Sequence, residues 1–183
     1  MLFLGDSLTD GWGAPEGPAF PFVLQRRIRD RGLAFLCRAD GVPGDTSAGG
    51  LRRSRRWLAD ASQVPAVVVI QFGANDVFQG IAPGQIADNL AAIARAFQHA
   101  GATAIVAGTL LPQLGQAGVA GLDSVYRDVE RRTGARRIDD LLKGVLDDPL
   151  LLQDDGVHPT AAGHRVMAEN AWPVLEEVLL ALA

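Results

Sequence analysis

Two rhythms of apolar residues alternate along the chain. Largely apolar runs at Met1–Leu4, Leu33–Cys37, Val64–Phe72 and Ala102–Ala107 predict four short strands, and Ala135–Ile138 is read as a short fifth. The run Val67-Val68-Val69-Ile70 has no polar interruption and suits a central strand covered on both faces. Between these runs lie segments with helical spacing. Ala19–Asp30 carries Phe22, Val23, Leu24 and Ile28 on one side, and Ala48–Asp60 follows a capping Thr46 or Ser47. Gly84–His99 is stopped at Gly101, and Val119–Thr133 follows. Pro159–Leu180 closes the chain, with a bend expected at Pro173.

Strand–helix alternation implies a parallel sheet with helices on both faces. The expected fold is therefore α/β, a three-layer α/β/α sandwich on a sheet of about five strands, flavodoxin-like in outline. No repeat, low-complexity tract or linker divides the 183 residues, so residues 1–183 are read as one domain.

Composition narrows the function classes. The net charge of −4 favours neither nucleic acid nor an anionic membrane. Arg52, Arg53, Arg55 and Arg56 are read as the solvated face of a helix, with an anion-steering patch as the alternative. Cys37, the one cysteine, excludes an intrachain disulfide and reads as a small buried hydrophobe. No segment reaches the length of a membrane span, so no stable membrane insertion is expected. No basic-then-apolar leader precedes Leu2. The chain as it stands is thus expected in the cytoplasm, or in the periplasm or outside the cell if it is a mature form whose leader was removed.

In a parallel sheet the carboxyl ends of the strands share one edge, and ligands bind there. Four unusual segments fall at that edge: Gly5-Asp6-Ser7-Leu8-Thr9-Asp10-Gly11, Gly41-Val42-Pro43-Gly44-Asp45-Thr46-Ser47, Gly73-Ala74-Asn75-Asp76, and Asp154-Asp155-Gly156-Val157-His158-Pro159. A serine hydroxyl needs a base within hydrogen-bond reach to become a nucleophile, and imidazole suits because it ordinarily titrates near neutrality. His99 ends a predicted helix, where an imidazolium complements the dipole. His164 is expected on the surface of the last helix. His158 precedes Pro159, which disfavours helical geometry at His158 and suits the first position of a helix. His158 is therefore expected at the active edge. Asp154 and Asp155 are both close enough to accept its Nδ1–H; their alternative role is to cap the turn.

The four segments, in order and across nearly the whole chain, resemble the SGNH or GDSL hydrolase family, named for a Ser, a Gly, an Asn and a His in four blocks. The sequence around Gly44-Asp45-Thr46-Ser47 and Gln153–Pro159 is similar to the bacterial multifunctional thioesterase I/lysophospholipase and arylesterase branch. Ala74 stands where that branch often has glycine. The resemblance implies a serine hydrolase acting on small-molecule carboxylic esters or thioesters through an acyl-enzyme. Ser7 would be the nucleophile, His158 the base and Asp155, selected by the Asp-x-x-His pattern, the group that orients it. It also implies an oxyanion hole made by the Ser7 and Gly44 backbone N–H groups and the Asn75 amide. Gly44 would allow close backbone approach, and Asp6, Asp45 and Asp76 would fix the loops.

Such hydrolysis needs no metal or other cofactor. Asp155, His158 and His164 match no metal-binding spacing, and no α/β-hydrolase elbow, phosphate loop or dinucleotide fingerprint occurs. Leu111 and Pro112, opening the glycine-rich segment Leu111–Gly118, are candidate acyl-binding residues with Phe78; Ile81 and Trp12 add apolar surface. The segment reads as a mobile rim or an ordinary connection. A carbohydrate acetylesterase with the same catalytic residues and a catalytically silent ligand-binding module are the alternative functions.

Overall fold

A computed structural model describes residues 1–14 and 17–183. Five strands form one parallel sheet in the order β2-β1-β3-β4-β5: β1 (Leu2–Gly5), β2 (Arg38–Gly41), β3 (Val67–Gln71), β4 (Thr103–Ala107) and β5 (Arg136–Ile138). The helices are α1 (Ser7–Asp10), α2 (Phe20–Asp30), α3 (Ser47–Leu58), α4 (Ala74–Phe78), α5 (Pro83–His99), α6 (Gly115–Thr133) and α7 (Ala161–Leu182).

Side chains alternate across the sheet, as a period of two requires. Phe3, Val67, Val69, Ile105 and Ala107 pack with Phe20, Leu24 and Ile28 of α2 and with Met167, Ala171, Leu175 and Leu179 of α7. Leu2, Leu4, Val68, Ile70 and Val106 face the other way, against Ile86, Leu90, Ile93 and Phe97 of α5 and Leu122, Val125 and Val129 of α6. The chain thus forms the expected three-layer sandwich. Each such aliphatic or aromatic side chain contributes about 1.5–3 kcal/mol when fully buried. Truncating Ile70 to alanine would cost about 2–5 kcal/mol.

Local signals explain most boundaries. Pro21 and Pro83 sit in the first turns of α2 and α5, where a missing N–H costs no helical bond. Gly134, in the left-handed region, ends α6. Helix α7 continues through Pro173. It begins two residues after Pro159, with the Thr160 hydroxyl accepting the Gly163 N–H at 3.3 Å; Pro159 instead forms an isolated antiparallel bridge with Leu152. No helix among the described residues is long and apolar enough to cross a membrane.

Three expectations are corrected. The second strand is Arg38–Gly41, not Leu33–Cys37. The Gln25 side chain donates to the Phe35 carbonyl at 3.0 Å and accepts the Cys37 N–H at 2.6 Å, so Leu33, Phe35 and Cys37 pack on the core from outside the ladder. The true strand lies at the sheet edge, open to solvent on one side, and needs no apolar run. Cys37 is half-buried, not fully covered, and burial pushes its thiol up to about 11. Within Leu111–Gly118, Pro112–Leu114 is a 3₁₀ turn, and α6 starts at Gly115 rather than at the expected Val119. Leu114 packs against both core clusters, which outweighs the weak helix propensity of the glycines.

The strand order reverses at β1, whose neighbours are β2 and β3. That switch point opens a crevice beyond the carboxyl ends of β1 and β3, where Gly5 pairs with Gln71.

Candidate active site

Ser7 opens α1 immediately beyond β1. As the first residue of a helix, its N–H has no partner four residues back. Asp6 caps the helix by accepting the Leu8 N–H at 3.0 Å. Beneath it, Gln71 at the end of β3 accepts the Asp6 N–H at 3.3 Å and the Thr9 hydroxyl at 2.8 Å. Gln71 was not among the expected site residues; it lies inside an apolar run, and its polarity at a strand end was the available signal.

From the other end of the chain, His158 brings its Nε2 to 3.0 Å from Ser7 Oγ. Its Nδ1 lies 2.6 Å from Asp155 Oδ2. Asp155 Oδ1 also accepts the N–H groups of Val157 and His158, both at 2.9 Å, so the carboxylate shapes the turn that carries the imidazole. Asp155, rather than Asp154, thus makes the contact. Burial opposes ionisation of Asp155, but hydrogen bonds from the His158 backbone, the His158 ring and Val157 outweigh it and hold the carboxyl down at about 2. A hydroxyl, an imidazole and an ionised carboxylate in this sequence can remove a proton from oxygen and hold the resulting imidazolium.

Asn75 sits in the first turn of α4, beyond β3. Its Nδ2 donates to the Asp45 carbonyl at 3.0 Å and to Asp6 Oδ2 at 3.3 Å. Asp45 follows Gly44, so the second, third and first segments meet at this amide. Gly44 has φ 76°, in the left-handed region that favours glycine, and a Cβ there would meet open space.

Three aspartates act as loop fasteners, as expected. Asp76 accepts both the N–H and the hydroxyl of Ser47, and Asn89 donates to the same hydroxyl at 3.0 Å. Ser47 therefore docks α3 onto α4, and neither it nor Thr46 caps α3 through its side chain. Burial raises the Asp76 carboxyl, with Ser47 acting against it. Burial likewise pushes Asp6 up to about 6, partly offset by the Leu8 N–H, Gln71 and His158. Asp45 accepts from the Thr46 N–H and from Arg53.

Arg53 departs from the solvated role expected of the arginine cluster. Its side chain is 15% exposed and pairs with Asp40 at 2.6 Å and Asp45 at 2.9 Å, while Arg52, Arg55 and Arg56 stay exposed. His164 is also corrected. It is buried, not on the surface, because it lies on the side of α7 that also presents Met167, Ala168, Ala171 and Leu175 to the core.

A cavity of about 170 Å³ is lined by Ser7, Asn75, Phe78, Leu111, Val157 and His158. Of the three expected acyl-binding residues, Phe78 and Leu111 border it. Pro112 instead lines a neighbouring hollow of about 470 Å³ with Leu110 and Val119. Ile81 lines another of about 220 Å³ with Val77, Ile86 and Leu122. Trp12 is exposed and borders none of the three. Among the described residues, no group of three or more His, Cys, Asp or Glu side chains is placed to hold a metal ion.

The chain is 34% identical to the esterase TesA of Pseudomonas aeruginosa over 98% of its own length and 89% of the relative's. It is 26% identical to an arylesterase of Vibrio mimicus, covering 92% of this chain and 84% of that one. A crystal structure of TesA superposes with a TM-score of 0.90 at 34% identity, over 97% of this chain and 98% of that chain. The GDSL-like lipase/acylhydrolase family profile matches residues 3–166. With this match and the shared fold, the chain belongs to the GDSL-like lipase/acylhydrolase family of carboxylic ester hydrolases.

Proposed function

We propose that the chain hydrolyses small-molecule acyl esters or thioesters through a covalent acyl-enzyme on Ser7. The observation that carries this reading is the line of contacts from Ser7 Oγ through His158 to Asp155, at 3.0 and 2.6 Å. His158 Nε2 takes the hydroxyl proton as Ser7 Oγ attacks the carbonyl carbon. Asp155 keeps Nδ1 protonated and stabilises the imidazolium. The tetrahedral oxygen receives hydrogen bonds from the Ser7 N–H, the Gly44 N–H and Asn75 Nδ2. His158 then gives its proton to the leaving alcohol or thiol. In the second half, it deprotonates a water that attacks the acyl carbon, releasing the acid and restoring Ser7.

Asn75 is prepared for this role. Its bond to the Asp45 carbonyl fixes the amide plane, and the longer contact to Asp6 is the one an oxyanion can replace. The acyl group is assigned to the cavity between Phe78 and Leu111, with Pro112 and the adjoining hollow extending its rim.

The test is kcat/KM for p-nitrophenyl esters of two to twelve carbons, matched thioesters and acetylated sugars, with Ser7→Ala as control. The proposal expects turnover by the wild type and its loss in the variant. Equal rates for both proteins would overturn it. Strong preference for acetyl groups, with longer chains excluded, would favour a carbohydrate acetylesterase using the same residues. No turnover of any ester would leave a ligand-binding module.

A further inference from the structure

Arg53 is the arginine of α3 that turns inward, and its guanidinium makes four hydrogen bonds. Nε donates to Asp45 Oδ2 at 2.9 Å, Nη2 to the Gly5 carbonyl at 2.7 Å, and Nη1 to the Asp40 carbonyl and Oδ1 at 2.8 and 2.6 Å. Its central carbon lies 5.6 Å from the centre of the Phe72 ring. Helix α3 comes this close because Gly50, one turn earlier, has no side chain: a Cβ there would press into the Phe72 ring. Asp40 is anchored in turn by Trp57 Nε1 and Arg56, both at 2.7 Å.

These contacts coincide with the parts of the oxyanion hole. Gly5 lies two residues before Ser7. Asp45 follows Gly44, and its carbonyl accepts Asn75 Nδ2 at 3.0 Å. Phe72 lies three residues before Asn75. One rigid, planar cation therefore touches the ends of β1, β2 and β3, the three segments that carry the donors. The fork geometry matters, because a lysine ammonium cannot reach these divergent acceptors in one plane. Donors help catalysis only if they are already in place when charge develops on oxygen. A displacement of about 1 Å can cost about 10²-fold in rate.

We propose that Arg53 is a positioning residue for the oxyanion hole, holding the segments of Ser7, Gly44 and Asn75 in register from behind. The inference rests on the oxyanion assignment made above. It concerns a residue that touches neither the substrate nor the reacting atoms.

A double-mutant cycle tests it, with p-nitrophenyl butyrate as substrate and thermal melting as a check on folding. Arg53→Lys should lower kcat about 10- to 100-fold while KM changes less than about threefold. In an Asn75→Ala background the same change should cost at least about threefold less, because one donor it positions has gone. Asp45→Asn, which removes the charge facing Nε while leaving a carbonyl oxygen that can still accept the Thr46 N–H, should show the same coupling and decides the matter if Arg53→Lys does not fold. Equal losses in both backgrounds, or a loss confined to KM, would overturn the role of Arg53. An unimpaired kcat in Asn75→Ala alone would instead sink the oxyanion assignment, and the proposal with it.

Discussion

Replacing His164 with leucine should flatten the acid side of the stability curve. The side chain is 1% exposed, and neither ring nitrogen has a hydrogen-bond partner among the described residues. Burial, with a smaller repulsion from His158, lowers its pKa from 6.5 to about 4. The unfolded chain therefore binds a proton near pH 6.5 that the folded chain accepts only near pH 4. Stability linked to neutral His164 is fully present above the unfolded value. It declines as pH falls through this window and levels off below the folded value. At about 1.4 kcal/mol per pH unit, the window is worth about 3 kcal/mol, a large share of the roughly 5–15 kcal/mol that holds a domain together. Urea unfolding followed by tryptophan fluorescence at pH 7.5, 5.5 and 4 measures it for both proteins. Other titrating groups act alike in both, so the wild type should lose about 3 kcal/mol more than His164→Leu between the extremes. The variant should be at least as stable at pH 7.5, because two unpartnered buried nitrogens are gone. Parallel pH curves would refute the reasoning.

Asn75→Ala should lower kcat by about 10²–10³ with little change in KM; a change confined to KM would make Asn75 a substrate-positioning residue. Asp155→Asn should lower kcat by about 10²–10⁴ while leaving the fold intact by circular dichroism, since its hydrogen bonds serve one turn and one imidazole. If Phe78 and Leu111 form the acyl site, each further buried CH₂ contributes up to about 0.8 kcal/mol. Either alanine variant should then flatten the rise of kcat/KM with chain length while sparing acetyl ester; an unchanged trend would remove that residue from the acyl site.

The sequence displayed the central architecture most clearly. Continuous apolar runs marked β1, β3 and β4, because those strands are buried on both faces. It displaced β2, because an edge strand such as Arg38–Gly41 carries no such run, while Leu33–Cys37 is apolar for packing outside the ladder. The segments of Ser7, Asn75 and His158 stood out because glycines, prolines and acidic residues cluster in them, but only the family resemblance singled out Asn75 and chose Asp155 over Asp154. Arg53 did not, since its three exposed neighbours hide one inward-facing arginine and its acceptors lie 8 to 48 residues away in sequence. His164 was misjudged because one polar residue on a helix gives no sign of which face it occupies. The helical start at Gly115 was hidden by glycines whose weak propensity is overridden by packing of Leu114 and Leu122.

The central claim is that Ser7 Oγ is the nucleophile, activated by His158 at 3.0 Å. The most direct measurement is intact mass and peptide mapping after reaction with a fluorophosphonate probe. The account predicts one adduct, on Ser7, abolished in Ser7→Ala and strongly slowed in His158→Ala. Labelling of Ser7→Ala to the same extent as the wild type would contradict it.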